Sequence, residues 1–179
     1  MNQLSGMNAY DQAIRAMYGQ GNQEERQAAD KWLQHFCTTT EAWQTANAVI
    51  GNPQTDVASP HMAFACKMLL DKISMDLHEL PEGARVDLRG AVCSHVMMWG
   101  AAPGTSGPIL KKLCLSLASL GVQMNWTGYF DYCKELSLKA QPGQEAVVTR
   151  VVLQLLAALP VSDCGIYFRG NFLVQPPIP

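Results

Sequence analysis

Apolar residues recur at three- and four-residue intervals along nearly the whole chain, and strand-like alternation is almost absent before residue 165. In residues 23–37, Ala28, Ala29, Trp32, Leu33 and Phe36 share one stripe, with Glu24, Glu25, Arg26, Asp30 and Lys31 off it. Ala42, Trp43, Ala46, Val49 and Ile50 repeat the device in residues 41–50. The intervening threonines, Thr38 to Thr40, predict a turn that folds the two helices into a hairpin.

Start and stop chemistry extends this reading along the chain. A first helix over about residues 8–18 ends at Gly19, and Asn22 is placed to cap the next. Thr38 and Glu41 have the spacing of a capping box for the helix bearing Trp43, which Gly51 closes. Ser59 followed by Pro60 opens a long helix to about His78, apolar on most sides. The residues LPEGA (80–84) break it, and Leu88, Ala91, Val92, Val96 and Trp99 mark the next stripe. Ser106 and Pro108 start a helix carrying Ile109, Leu110, Leu113, Leu117 and Leu120. After the NWTG turn comes a short helix with its stripe at Phe130, Cys133 and Leu136. The helix over 144–159 has a seam of Val147, Val148, Val151, Val152, Leu155, Leu156 and Leu159. The chain therefore reads as all-α over residues 1–159, about three and a half hairpins, followed by an irregular proline- and glycine-containing tail at 160–179.

The second helices of these hairpins are expected to begin near residues 40, 84 and 127, in steps of 44 and 43. Both steps lie within the repeat length of about 40–47 residues found in HEAT and armadillo arrays. A HEAT-repeat α-α superhelix explains the period; a plain bundle of six or seven helices would show the same stripes without one.

Composition narrows the function classes. With 48% apolar and 16% charged residues the chain is a folded protein, and a formal net charge of -2 offers no electrostatic reason for nucleic acid. No uninterrupted apolar run reaches the roughly 18 residues of a membrane span, and the polar start MNQLSGMNAY is unlike a secretory signal. Cys37, Cys66, Cys93, Cys114, Cys133 and Cys164 are far apart and mostly on apolar helix faces, as reduced core thiols would be.

Enzyme signatures are missing. The four histidines, His35, His61, His78 and His95, occur singly, and there is no HExxH, CxxC, GxSxG or phosphate-loop pattern. GQGNQE (19–24) has two glycines of a dinucleotide fingerprint but no strand before it, so it reads as a turn. Cys93 with His95, and His35 with Cys37, are two residues apart on helices and cannot share a metal. Glu79 and Glu82 flank Pro81 without a nucleophile nearby, and NWT (125–127) matches a glycosylation sequon but reads as turn and cap. Trp32, Trp43, Trp99 and Trp126 occupy stripe positions and read as core, not as an aromatic cage. No catalysis, cofactor or metal is expected; a small helical enzyme would need a polar pocket that none of these residues suggests.

Certain segments carry a likeness that periodicity does not. AIRAMYG (13–19), ADKWLQHFCTTTEAWQTANAVI (29–50) and FACKMLLDKISMDLHELP (64–81) resemble the N-terminal region of the importin-β superfamily, in the branch of transportin-3 and importin-13. The likeness covers about residues 9–160, and the residues after LLAALP depart from it. The resemblance implies a nuclear transport receptor of the nucleus and cytoplasm, several times longer than this chain. Its partners would be Ran-GTP, protein cargo held mainly by later repeats, and nucleoporins. The helices at 40–50, 84–99 and 127–139 would be B helices on a concave surface, and those opening near 23, 60, 105 and 143 would be convex A helices. Gln44, Asn47, Arg85, Arg89, Asp131 and Lys134, polar and off the apolar stripes of those B helices, are the candidate Ran contacts. The alternative is a HEAT-type interaction scaffold without Ran dependence.

Overall fold

The computed structural model describes residues 3–159 except Gln20, Pro103, Ser106, Lys139, Gln141 and Pro142. The expected irregular tail at 160–179, Cys164 and the cap at Ser106 lie outside the described residues. Eight α-helices follow one another: α1 (Gln3–Tyr18), α2 (Gln23–Cys37), α3 (Glu41–Gly51), α4 (Pro60–Asp76), α5 (Glu82–Ala101), α6 (Gly107–Gln123), α7 (Tyr129–Leu138) and α8 (Glu145–Ala158). A 3-10 turn, Leu77–Glu79, extends α4. No strand occurs among the described residues, and the helices stack in the manner of an α-α solenoid.

Two predicted helix starts form as the residues dictate. Asn22 Oδ1 accepts from the Glu25 backbone N–H while the Glu25 carboxylate accepts from the Asn22 N–H, each at 2.9 Å. Ser59 Oγ accepts from the Met62 N–H with Pro60 in the first turn. The capping box at Thr38 and Glu41 does not form. Thr38 Oγ1 donates back to the His35 carbonyl and Thr39 Oγ1 to that of Phe36, so both hydroxyls close α2 instead of opening α3. Those carbonyls are among the last four of α2 and have no partner within the helix, so the nearest hydroxyls take them.

The packing also corrects the pairing of helices. α2 and α3 barely touch beyond their turn; the closely packed consecutive pairs are α1 with α2, α3 with α4, α5 with α6, and α7 with α8. α3, α5 and α7 are therefore the first helices of their hairpins, not the second. They begin at Glu41, Glu82 and Tyr129, so the steps are 41 and 47 residues. Across hairpins, α4 packs closely on α6 and α6 on α8, whereas α3 meets α5 only sparsely. A stack with one row packed more tightly than the other bends toward the tight row, which places α4, α6 and α8 on the inner side.

One apolar core runs unbroken from Tyr10 on α1 to Ala158 on α8. Polar side chains stitch the hairpins together across it, most of them reaching about one repeat back along the chain. Trp99 Nε1–H donates to the Ile50 carbonyl at 2.7 Å, 49 residues earlier. Gln123 Nε2 donates to Ile73, 50 residues back; Arg150 to Thr105, 45 back; and Lys112 to Ala63, 49 back. Tyr10 O–H makes the same kind of bond forward to His61, 51 residues on. Ile50, Ile73 and Cys37 lie in the last turns of their helices, where carbonyls lack a partner of their own. Each such bond is worth roughly 0.5–1.5 kcal/mol, more for a charged donor.

Lys72 is the extreme case. Its side chain is 2% exposed, yet its ammonium is bonded to the Cys37 carbonyl at 3.1 Å and to Asp76 at 2.8 Å. It also lies over the Trp43 ring, 5.3 Å from the centroid. A buried ammonium is tolerable because a helix C-terminus, a carboxylate and an indole face all present negative potential to it.

The short helix α7 is rotated by one residue from expectation. Phe130 is 63% exposed, and Tyr129 takes the buried place beside Cys133. The Tyr129 hydroxyl reaches the Leu155 carbonyl at 3.0 Å, a partner that phenylalanine could not satisfy. In α8 the seam is narrower than expected: Val148, Val151, Leu155 and Ala158 are buried, while Leu156 is 40% exposed.

Candidate protein-interaction surface

The six candidate residues sit on α3, α5 and α7, the loosely packed row. Three of them already have structural partners. Asn47 Oδ1 lies 2.8 Å from His95 Nε2, and because that oxygen can only accept, the ring nitrogen carries the proton. Arg85 donates through Nε to the Leu80 carbonyl and through a terminal nitrogen to His78, closing the 3-10 turn that ends α4. Arg89 lies over the Trp126 ring, 4.7 Å from its centroid. Gln44 is exposed but also engaged. Asp131 and Lys134 are exposed, three apart on α7, and lie on the same side of the helix.

His95 was read from sequence as a packed or surface residue, and the structure makes it a strut between α5 and α3. It is buried, and the ring fits because Gly51 faces it: a Cβ at Gly51 would stand 3.1 Å from Cε1. Burial pulls its pKa below the usual 6.5. No sequence spacing flags this pair, since 48 residues separate its members.

The tryptophans divide. Trp43 and Trp99 are buried in the core, whereas Trp32, stacked on Phe36 at a centroid distance of 4.7 Å, and Trp126 are half-buried. Trp126 sits among Tyr129, Tyr132 and Arg89. Tyr132 is hydrogen-bonded to Cys93. The thiols are chemically quiet: burial pushes Cys66 and Cys114 up to about 12 and raises Cys37, Cys93 and Cys133 as well. None is placed as a nucleophile, because the thiolate is the reactive form. Among the described residues no three histidine, cysteine, aspartate or glutamate side chains converge as a metal would need. No helix of the described residues is long and apolar enough to cross a membrane.

The tightly packed row offers a different surface. Lys67, Asp71 and Met75 are exposed at four-residue intervals along α4, the first two paired with each other. On α6 Lys111 is exposed, and half-buried Lys112 and Leu115 lie beside and beyond it. α6 is otherwise enclosed by α4, α5 and α8.

Two curated proteins match this chain. One is an uncharacterised protein of Schizosaccharomyces pombe, 27% identical over 150 residues, which are 83% of this chain and 15% of that protein. The other is the transportin MOS14 of Arabidopsis thaliana, 27% identical over 121 residues, 68% of this chain and 12% of that protein. The chain is distantly similar to a transportin. No protein-family model matches it. The similarity supports a role of the nuclear transport receptor kind, and the chain spans only a small part of the length of either relative. What the arrangement can do chemically agrees with such a role: a stack of helices presents broad polar and apolar faces to another macromolecule.

Proposed function

We propose that this chain is a partner-binding segment of a nuclear transport receptor, and that it holds Ran in its GTP form on the inner row of helices. The observation that carries the reading is the tight α4–α6–α8 row, on the inner side of the bend, in an array similar in sequence to a transportin. On that row Lys67, Lys111 and Lys112, with Met75 and Leu115 between, offer cations around apolar contacts. Asn47, Arg85 and Arg89 are held by bonds within the fold, so α3 and α5 contribute shape more than free contacts. Protein cargo and nucleoporins are further partners in this reading.

The test is capture of purified Ran, loaded with a non-hydrolysable GTP analogue or with GDP, on the immobilised chain. Retention of the GTP form alone, weakened by Lys67→Glu with Lys111→Glu and not by Asp131→Lys with Lys134→Glu, supports the reading. Equal capture of both forms, or of neither, refutes Ran dependence and leaves a scaffold for other proteins.

A further inference from the structure

Helix α8 differs from the other helices in what it turns outward. Opposite its buried face stand Ala146, Thr149, Leu153, Leu156 and Ala157, all exposed, with Leu153 at 61%. By contrast, α2 turns Glu24, Glu25, Asp30 and Lys31 to water. Of the seven large hydrophobic residues exposed in the described structure, four, Phe130, Leu138, Leu153 and Leu156, belong to α7 and α8. An apolar outer face at the end of a stack is the surface that repeat proteins cover with a polar terminal element.

The chain carries its own candidate cover directly downstream. Residues 166–174, IYFRGNFLV, hold two apolar triads, Ile166-Tyr167-Phe168 and Phe172-Leu173-Val174, around a single charge at Arg169. We propose that this segment packs along the outward face of α8, with Leu153 and Leu156 at the centre of the contact. Its reach suffices. The seven steps from Leu159 to Ile166 span up to about 23 Å when extended. Leu153 lies only about 9 Å back along the helix axis from Leu159. Pro160, Ser162, Asp163 and Gly165 supply turn chemistry for the reversal. Nine extended residues then cover about 30 Å, and the 14 residues of α8 about 21 Å.

A second copy of the chain could bury the same leucines, but tethering favours the chain's own segment. A short linker holds its two ends at an effective concentration of the order of millimolar, above that of any separate molecule in a dilute solution.

Trypsin reads the proposal directly, because the Arg169–Gly170 bond lies inside the segment. Three full-length chains are compared in dilute solution: wild type, Leu153→Glu with Leu156→Glu, and Phe168→Ser with Phe172→Ser. All four positions lie outside the apolar core, and circular dichroism checks that each chain folds. Release of the peptide 170–179, followed by mass spectrometry, is expected to be more than tenfold slower in wild type than in either variant. Equal rates in all three chains overturn the proposal. So does protection that disappears on dilution together with a dimer seen by light scattering, which would assign the face to a second copy.

Discussion

Replacing Gly100 with alanine tests how tightly α5 is set against α8. Gly100 is buried one residue from the end of α5, and a Cβ there would stand 2.3 Å from Val151 Cγ2 and 3.8 Å from Leu110 Cδ1. Carbon atoms prefer roughly 3.5–4.0 Å, so more than an ångström must be found. Val151 is fully buried and, being β-branched in a helix, has essentially one χ1 rotamer, so the methyl cannot swing aside. The helices must part, at a cost of about 1–3 kcal/mol. Helix propensity opposes this by up to about 1 kcal/mol in favour of alanine, less in a final turn. Gly100→Ala should therefore destabilise by about 1–2 kcal/mol, lowering the melting temperature by roughly 2–8 °C for a chain of this size.

Urea unfolding followed by circular dichroism measures it, within a double-mutant cycle. Val151→Ala alone should cost about 1–3 kcal/mol for the lost methyls and their cavity. In the double variant the new Cβ occupies the space those methyls leave, so the combined loss should fall short of the sum by at least about 0.5 kcal/mol. A neutral or stabilising Gly100→Ala, or strictly additive losses, would refute the reasoning.

Three further outcomes follow from the same geometry. Lys72→Met keeps the stem but deserts the Cys37 carbonyl and Asp76; because Asp76 stays 28% exposed and can rehydrate, the loss should be about 1–3 kcal/mol in urea unfolding. His95 is held neutral, so near pH 6.5 the unfolded chain takes up a proton that the folded chain resists. Its stabilising contribution is complete above pH 6.5 and is lost as pH falls through the window below, and His95→Gln should flatten that part of a stability profile between about pH 7.5 and 5. Iodoacetamide at mildly alkaline pH should leave Cys66 and Cys114 unmodified in the native chain and label both in urea, as read by mass spectrometry.

Helices and their punctuation were legible in the residues, because caps such as Asn22 with Glu25 and Ser59 with Pro60 are local chemistry. What periodicity does not encode is which neighbour covers a stripe. The stripe of α3 reads the same whether it packs on α2 or, as it does, on α4. Thr38 and Glu41 have the spacing of a cap, yet the competing acceptors are the carbonyls one turn earlier, and those win. At α7 two adjacent aromatics compete for one buried place, and the tyrosine takes it because its hydroxyl finds Leu155. Polar residues off a stripe look solvated in one dimension; Asn47 and Arg89 are instead met by His95 and Trp126 across the repeat.

The direction of the polar stitches bears on how the chain is made. Lys72, Trp99, Lys112, Gln123 and Arg150 each donate to a carbonyl that precedes them in the sequence. A polypeptide leaves the ribosome N-terminus first, at about 5–20 residues per second. Each of these donors therefore emerges when its acceptor helix has already been synthesised, several seconds earlier at the slower rates. Every new hairpin can lock onto the nascent stack without waiting for chain that does not yet exist, so assembly can keep pace with translation from one end to the other.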